Sequence, residues 1–556
     1  MNPFTLAYRE QKQLFLFEKT YLLDTLLKVG GLATLLARFI VQFFWNPAVA
    51  LILTMLLLAL SAYMTWALVR ESWRDWKVIP VCLIPSLFIG ASLSDNSLHF
   101  EFLTSILLVQ AGLLVFKGIK SRKVLWGVLL TIILYYTAGS AAVIFAVCAA
   151  LQPDGEQSRT TGFWRLTYLA TVAVCGVVAY LTAAVPIWAD AFTPSLYYDL
   201  DASMPKVHWI GWICLPVFLA LLPFAKGRRL FVPGLTLALL AVIPARKISK
   251  QIEEKQPCLA YIFEHYTNNE DWDGLIKACK EAPWLPRTAN YLNMALAQKG
   301  VLAEDLLKYD QRGVMSLAYF PEDKTVDVRL AHIMYSMGNM AAAQDVAFNA
   351  LTSLTGYSPS MLKMNIRIEL MRGAYGVADK YLSILEKAPH YRSWAKEQRS
   401  FLWNDDAVES DPELGIGRND FPEEDGFAMF DSPVTELARI VEANPSDKKA
   451  MQYYLSFLLL AKDLEGLFGT VNRYWGAPAL RELPVPVQEA MIFYSEYSRN
   501  FEGIEPVSLE WCLYHGVADE TVKRFQSFQQ ASLQSQGTAP KGFRDTYWNY
   551  LIYTTI

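Results

Sequence analysis

Apolar residues dominate the first 245 positions, in runs at 48–69, 78–93, 102–117, 124–151, 166–185, 209–225 and 230–245. Several runs lie near the lower length limit of about 17–20 residues for crossing the hydrocarbon core, which predicts compact or partly broken spans. From Arg246 onward the pattern changes to short amphipathic helices separated by Gly, Asn or Pro turns. Before the first run come a polar, glutamine-rich lead-in, MNPFTLAYREQKQLFLFEKTYLL, and the segment GGLATLLARFIVQFF, which ends at Asn46-Pro47. Over 32–45, Thr34, Arg38 and Gln42 stand at i, i+4 and i+8, one polar stripe on an otherwise apolar helix. That is the pattern of a helix lying in the membrane interface.

Loop charge orients the spans. RESWRDWK (70–77), KGIKSRK (117–123) and KGRR (226–229) are strongly basic, whereas SDNSLHFE (94–101) and PIWADAFTPSLYYDLDASMPKVHW (186–209) are acidic or nearly free of Lys and Arg. If 124–151 crosses once, the basic loops at 117–123 and 226–229 fall on opposite sides. If it is two short helices broken at YYTAGSA (135–141), every basic loop lies inside, with Arg159 and Arg165, and every acidic loop lies outside. The broken form is expected, with a single span kinked at Gly139 as the alternative.

Irregular backbone at membrane depth needs surrounding protein or a wet cavity. The break, with Tyr135, Tyr136 and Ser140, is therefore a cavity candidate. Eight crossings place the chain before residue 48 and after 246 on the same outer side, the periplasm in a Gram-negative cell. A lead-in carrying Arg9, Lys12, Lys19, Lys28 and Arg38 would then be exported with no span ahead of it. An N-terminal span absent from the sequence, or an inverted topology, would explain this.

A hydrophobic fraction of 53% with 19% charge is too apolar for one soluble fold and too charged for a bundle of spans alone, and 556 residues leave room for two or three domains. The net charge of −4 argues against nucleic acid, which needs a concentrated basic face. Four of the seven cysteines (Cys82, Cys148, Cys175, Cys214) lie in apolar runs. Cys258, Cys279 and Cys512 show no zinc or CxxC spacing, leaving a Cys258–Cys279 disulfide or buried thiols as readings. The six histidines form no HExxH or paired arrangement, so neither metal nor cofactor is expected.

In the charged half, YSMGNMAAAQDVAFNAL (335–351) and LMRGAYGVADKYLSIL (370–385) align, Gly338 with Gly373 and Ala343 with Ala378, a separation of 35. A period near 34 with a small residue at the inter-helix contact is the tetratricopeptide signature, and such pairs must stack into a solenoid. The stretch 404–432 carries ten carboxylates and one arginine without the register of a calcium loop. It reads as a solvated linker or an acidic docking surface. The expected fold is all-α: an external segment with interfacial helix (1–47), a polytopic membrane domain of about eight short spans (48–245) and tetratricopeptide-like repeats (246–403). The acidic stretch (404–432) and further helical repeats (433–556) complete it.

REQKQLFLFEKTYLLDTLLKVGGLATLLARFIVQFFWNP, the YYTAGSAA break, NMALAQKGVLAEDL and ADKYLSILEKAPHYRSWA together resemble a family of Bacteroidota membrane proteins described only as a domain of unknown function. The likeness covers most of the chain and implies no activity; members of that family usually begin with one more span. In architecture alone the layout also looks like the GT-C glycosyltransferases, which place a catalytic acidic residue and a membrane-parallel helix in the first external loop. That second likeness is analogy, and fold does not confer function.

The GT-C likeness implies a carboxylate base in the first external loop, acting while a polyprenyl-phosphate sugar donor leaves from the membrane side. Glu10 is favoured, because Gln11 and Gln13 beside it supply sugar-type hydrogen-bond partners; Glu18 and Asp24 stand behind it. The plain alternative is a solvated glutamate in a polar lead-in. Arg38 would hold a lipid phosphate or snorkel to head groups. Asp95 and Asp190 sit where acidic loops meet the membrane, either joining a site or remaining ordinary loop carboxylates. The absence of a clear Asp-Glu or Asp-Asp pair departs from the analogy.

Three functions follow. One is a transferase of the inner membrane using lipid-linked sugar at the outer face, the periplasmic repeats holding the acceptor. The second is a scaffold whose repeat groove binds a peptide or an envelope protein, with membrane lipids as the other partner. The third is a transporter built on the broken helix, although few charges and no inverted repeat mark one.

Overall fold

The computed structural model describes residues 1–70, 79–151, 161–199, 204–221, 231–254, 258–318, 328–353, 358–421, 433–500, 506–535 and 538–554. These residues are all-helical, with one isolated antiparallel bridge between Leu98 and Tyr198. The basic loops at 71–77 and 226–229, Arg159, and residues 422–432 of the acidic stretch lie outside them. The chain divides into two units, the first Met1–Ile262 with Thr355–Pro359 and Ile384–Ser393, the second Phe263–Leu354, Ser360–Ser383 and Trp394–Ile556.

The first unit begins with α1 (Pro3–Ala7), α2 (Lys19–Leu26) and α3 (Gly31–Val41), followed by α4 (Pro47–Val69), α5 (Ile79–Ser92) and α6 (Glu101–Gly118). Then come α7 (Lys123–Ala138), α8 (Ala142–Leu151), α9 (Thr161–Leu181), α10 (His208–Leu221) and α11 (Phe231–Glu253). Asn46-Pro47 starts α4 for two local reasons. Asn46 Oδ1 accepts from the Ala48 and Val49 amides at 2.9 and 3.4 Å, and Pro47 supplies the fixed φ of a first helical residue. Helix α3 turns Ala33, Ala37 and Val41 into the core and leaves Leu36 and Phe39 exposed. Its apolar surface is therefore two-sided, small residues inward and large ones outward.

Among the described residues, three helical stretches are long and apolar enough to cross a membrane: Pro47–Val69, Glu101–Gly118 and Lys123–Leu151. The third is bent. A 3₁₀ turn over Gly139–Ala141 separates α7 from α8, and Gly139 takes φ +73°. Gly127 of α7 and Phe145 of α8 both lie against Phe116: a Cβ on Gly127 would come 2.9 Å from the Phe116 ring, and the Phe145 and Phe116 ring centroids are 5.8 Å apart. Positions 127 and 145 are 18 residues apart, which in one straight helix would be about 27 Å. The chain therefore folds back on itself at Gly139.

Helix α6 forms the middle of this unit, with Phe102, Ile106, Val109, Leu113 and Phe116 buried. Within that apolar surface Gln110 donates to the Ser61 carbonyl at 3.2 Å and to Thr65 Oγ1 at 3.0 Å, tying α6 to α4. Interhelical hydrogen bonds of this kind hold apolar helices together where hydrophobic burial cannot choose between neighbours.

In the second unit the aligned segments form two helix pairs, Val328–Ser336 with Met340–Ser353 and Pro359–Met371 with Tyr375–Leu385. Gly338 and Gly373 both lie in the left-handed region, at φ +83° and +72°. In each turn the following amide reaches back five residues, Asn339 to the Met334 carbonyl and Ala374 to the Glu369 carbonyl, both at 2.9 Å. That closure needs φ above zero, hence glycine at both positions. Ala343 and Ala378 are fully buried. The first part of the acidic stretch forms the short helices Asp405–Ser410 and Leu414–Asn419, and its arginine, Arg418, donates to Asp405 and to the Tyr375 hydroxyl, both at 2.9 Å.

Candidate functional site

The described residues place several of the singled-out polar groups in one cluster of the first unit. Asn2 caps α1 by accepting from the Phe4 amide at 2.9 Å, and the chain continues as a 3₁₀ turn over Tyr8–Lys12. This turn sends Arg9 into the loop between α5 and α6. Arg9 Nη2 donates to the Leu93 and Asp95 carbonyls at 2.9 and 2.6 Å, and Nη1 donates to the Leu98 carbonyl. Burial pulls the guanidinium down to about 10, against the opposing pull of Asp95, Glu101 and Asp199, so it stays charged at neutral pH.

The same loop pairs with the one before α10. His99 donates its amide to the Tyr197 carbonyl at 2.8 Å, and Asp199 donates its amide to Ser97 at 3.0 Å. Asp199 bridges Lys12 Nζ and His99 Nε2, each at 2.8 Å. Burial works to raise the Asp199 carboxyl, but His99 and Lys12 outweigh it and hold the group well below the usual carboxylate range. Asp95 is the counterpart: Oδ2 accepts from the Tyr198 hydroxyl at 2.9 Å and lies 2.7 Å from His208 Nε2, while Oδ1 accepts from the Ser97 amide at 2.9 Å. Burial again opposes these bonds and loses, so Asp95 also sits low, and Tyr198 beside it is pushed up by burial and by the carboxylate. His208 is fully buried, and its Nδ1 has no partner among the described residues.

Glu10 points the other way from Arg9. It is 2% exposed, and its carboxylate accepts from the Tyr391 hydroxyl and from Gln11 Nε2, both at 2.7 Å. Burial, with the Glu10 charge adding to it, raises the Tyr391 hydroxyl well above its ordinary value, which keeps it a donor. Glu18 is half-exposed and pairs with Lys387 at 2.8 Å, next to a backbone bond from the Phe17 amide to the Lys387 carbonyl at 2.9 Å. Asp24 is exposed on α2, and Gln13 is half-buried beside the cluster. Arg38 lies 3.8 Å from Glu101 and donates to the Tyr21 hydroxyl at 3.4 Å.

Tyr135, Tyr136 and Ser140 meet different surroundings. Tyr135 is buried and donates to the Ala191 carbonyl at 3.2 Å, Ser140 donates to the Thr193 carbonyl at 2.7 Å, and Tyr136 is exposed on the outside of α7. The Tyr197 hydroxyl accepts from the Ala141 amide at 3.0 Å and donates to the Ala138 carbonyl. Tyr197 thus satisfies two backbone groups of the break. Asp190 accepts from Ser195 within the same covering loop.

Arg9, Lys12, His99, Asp199, Tyr198, His208 and Tyr391 are the residues that sequence reasoning passed over as site members. The signal was present for some of them: each of the two acidic loops pairs Asp with a histidine, His99 and His208. Nothing local marks Tyr391, which lies 381 residues from Glu10. The seven cysteines are all free thiols.

The model of a family described as "Family of unknown function (DUF6057)" matches residues 1–554. No curated protein and no solved structure matches the chain. The chain belongs to the DUF6057 family.

Proposed function

We propose that this member of the DUF6057 family is an integral membrane scaffold. In this reading about eight short crossings anchor it in the inner membrane, α3 lies in the lipid interface, and a tetratricopeptide-like solenoid on the periplasmic side binds a peptide or an envelope protein. The observation that carries the reading is how the charged groups near the lead-in are employed. Arg9, Lys12, Asp95, His99 and Asp199 bond one another and the backbone of two loops, and Glu10 is buried against Tyr391. Side chains so engaged act as a clasp that fixes loops and are poorly placed to meet a substrate. The fold-back at Gly139 supports the even count of crossings, and the matching glycine turns at 338 and 373 support the repeats.

The test is photocrosslinking of the full chain in native membranes, from a reactive side chain introduced at Lys363 on the helix Pro359–Met371. A scaffold gives one discrete protein adduct, competed by excess unlabelled partner once that partner is identified. Adducts to lipid alone, at every position tried along the repeats, contradict it.

A second reading is the GT-C-like transferase with a polyprenyl-phosphate sugar donor. It is favoured by one feature: Asp95 holds the His208 ring at Nε2, and Nδ1 is buried without a partner among the described residues, the arrangement of an oriented imidazole base. Glu10, Glu18 and Asp24 remain its carboxylate candidates, with Gln11, Gln13 and Arg38 as binding groups.

A further inference from the structure

The second unit holds two carboxyl groups that share one site. Asp420 follows the helix Leu414–Asn419, and Asp447 caps the helix Lys448–Ala461 by accepting from the Lys449 amide at 2.8 Å. They are 2% and 3% exposed. Asp420 Oδ1 accepts from Asn444 Nδ2 at 2.8 Å. Its other oxygen, Oδ2, is turned to the point where Asp447 Oδ2 also lies. Both Oδ2 atoms converge on the turn at Gly338: a Cβ there would lie 3.2 Å from Asp420 Oδ2 and 3.4 Å from Asp447 Oδ2.

Two buried carboxyl groups brought to one point oppose each other's ionisation, so one proton is retained by the pair. The cavity beside them, of about 30 Å³, is walled in part by Met371 and Ile416 and has room for a water but for no substrate. The titratable and charged groups on its walls are Lys449, Glu413 and Tyr335. Lys449 reaches Gln298 at 3.5 Å, and Glu413 accepts from Tyr335 at 2.8 Å and lies 3.6 Å from Arg367. Glu413 is thus engaged elsewhere, and Lys449 is the cation facing the pair.

We propose that Asp420 and Asp447 form a proton lock, in which one shared proton fastens the packed acidic segment 405–420 to the start of the helix Lys448–Ala461, beside the Gly338 turn, and its loss releases that segment. Burial first, and the Asp447 charge second, raise the Asp420 carboxyl, whereas the Lys449 charge is too small an offset to reverse this. The sign follows from linkage. A carboxyl whose closed-state pKa lies above its open-state value near 3.9 binds the extra proton only when closed. The closed segment is therefore most stable below about pH 4 and loses stability as pH rises through the pKa of the closed pair.

Hydrogen exchange of the full chain in detergent tests this, with protection factors corrected for the intrinsic pH dependence of exchange. Amides of 414–420 and of the 337–339 turn are expected to lose protection about tenfold per pH unit between pH 5.5 and 7.5. Asp420→Asn supplies a permanent donor to Asp447 and keeps the acceptor for Asn444, so its protection is expected to be flat across the same range. Asp447→Asn, which can still cap its helix, is the second variant and should behave alike. Flat protection in the unsubstituted chain, or the same tenfold slope in both variants, overturns the lock.

Discussion

Arg9 satisfies three loop carbonyls with one side chain, and its charge acts on Asp95, Glu101 and Asp199 around it. Replacing it by methionine keeps most of the volume but leaves those carbonyls and carboxylates buried without it. A loss of about 3–5 kcal/mol is expected, read as a lowered thermal midpoint in detergent, and an unchanged midpoint would remove Arg9 from this role. Acid should act at the same place. Asp95 and Asp199 both have folded values below their ordinary ones, so their contribution is present above about pH 4 and is lost as pH falls below it. Asp95→Asn should be less stable at pH 7, and its stability should fall less steeply below about pH 4 than that of the unsubstituted chain, the two converging in acid. The two units thus respond to acid in opposite senses, because one buries paired charges and the other buries a shared proton.

Glu10 stood out in the sequence for its glutamine neighbours, and Gln11 is indeed bonded to it. What it serves depends on Tyr391, and no spacing rule links positions 381 residues apart. Arg38 was legible as the one cation of a helix stripe, but its partner Glu101 begins another helix. Side-chain partners across elements are set by packing, which pattern reading cannot reach.

At the scale of elements the reading went further, because turns and caps are local. Asn46-Pro47 and the glycines at 338 and 373 fix helix ends through bonds within a few residues. The break at 135–141 was legible for the same reason, since Gly139 adopts a conformation that other residues resist. The partners of its side chains were not legible: Tyr135, Ser140 and Tyr197 make hydrogen bonds across more than 50 positions. Gly139→Ala tests the element directly. A Cβ there would meet Leu196 at 2.7 Å and the Tyr197 hydroxyl at 3.1 Å, on a backbone already at φ +73°. A loss of about 2–4 kcal/mol is expected from strain and overpacking together, and a neutral outcome would mean that the turn is not held as described.

For the whole molecule, residues of the lead-in and residues after 246 are expected on the same side of the membrane. Single cysteines introduced at Asp24 and at Lys277, in a background lacking the seven native thiols, report this through a membrane-impermeant maleimide. Labelling of both or of neither from outside intact spheroplasts agrees with an even number of crossings between them. Labelling of one alone requires an odd number.

The scaffold reading rests most on the polar cluster being a clasp, and Glu10→Gln separates a clasp from a catalytic base most directly. The amide keeps the shape of Glu10 and can still accept from Tyr391, while it cannot take a proton from an acceptor hydroxyl. The measurement is the cell-surface glycan and lipid-linked sugar profile of cells producing this variant at the normal protein level. The scaffold predicts an unchanged profile together with a lowered thermal midpoint in the purified protein. A profile lost while protein level and midpoint stay intact would contradict it.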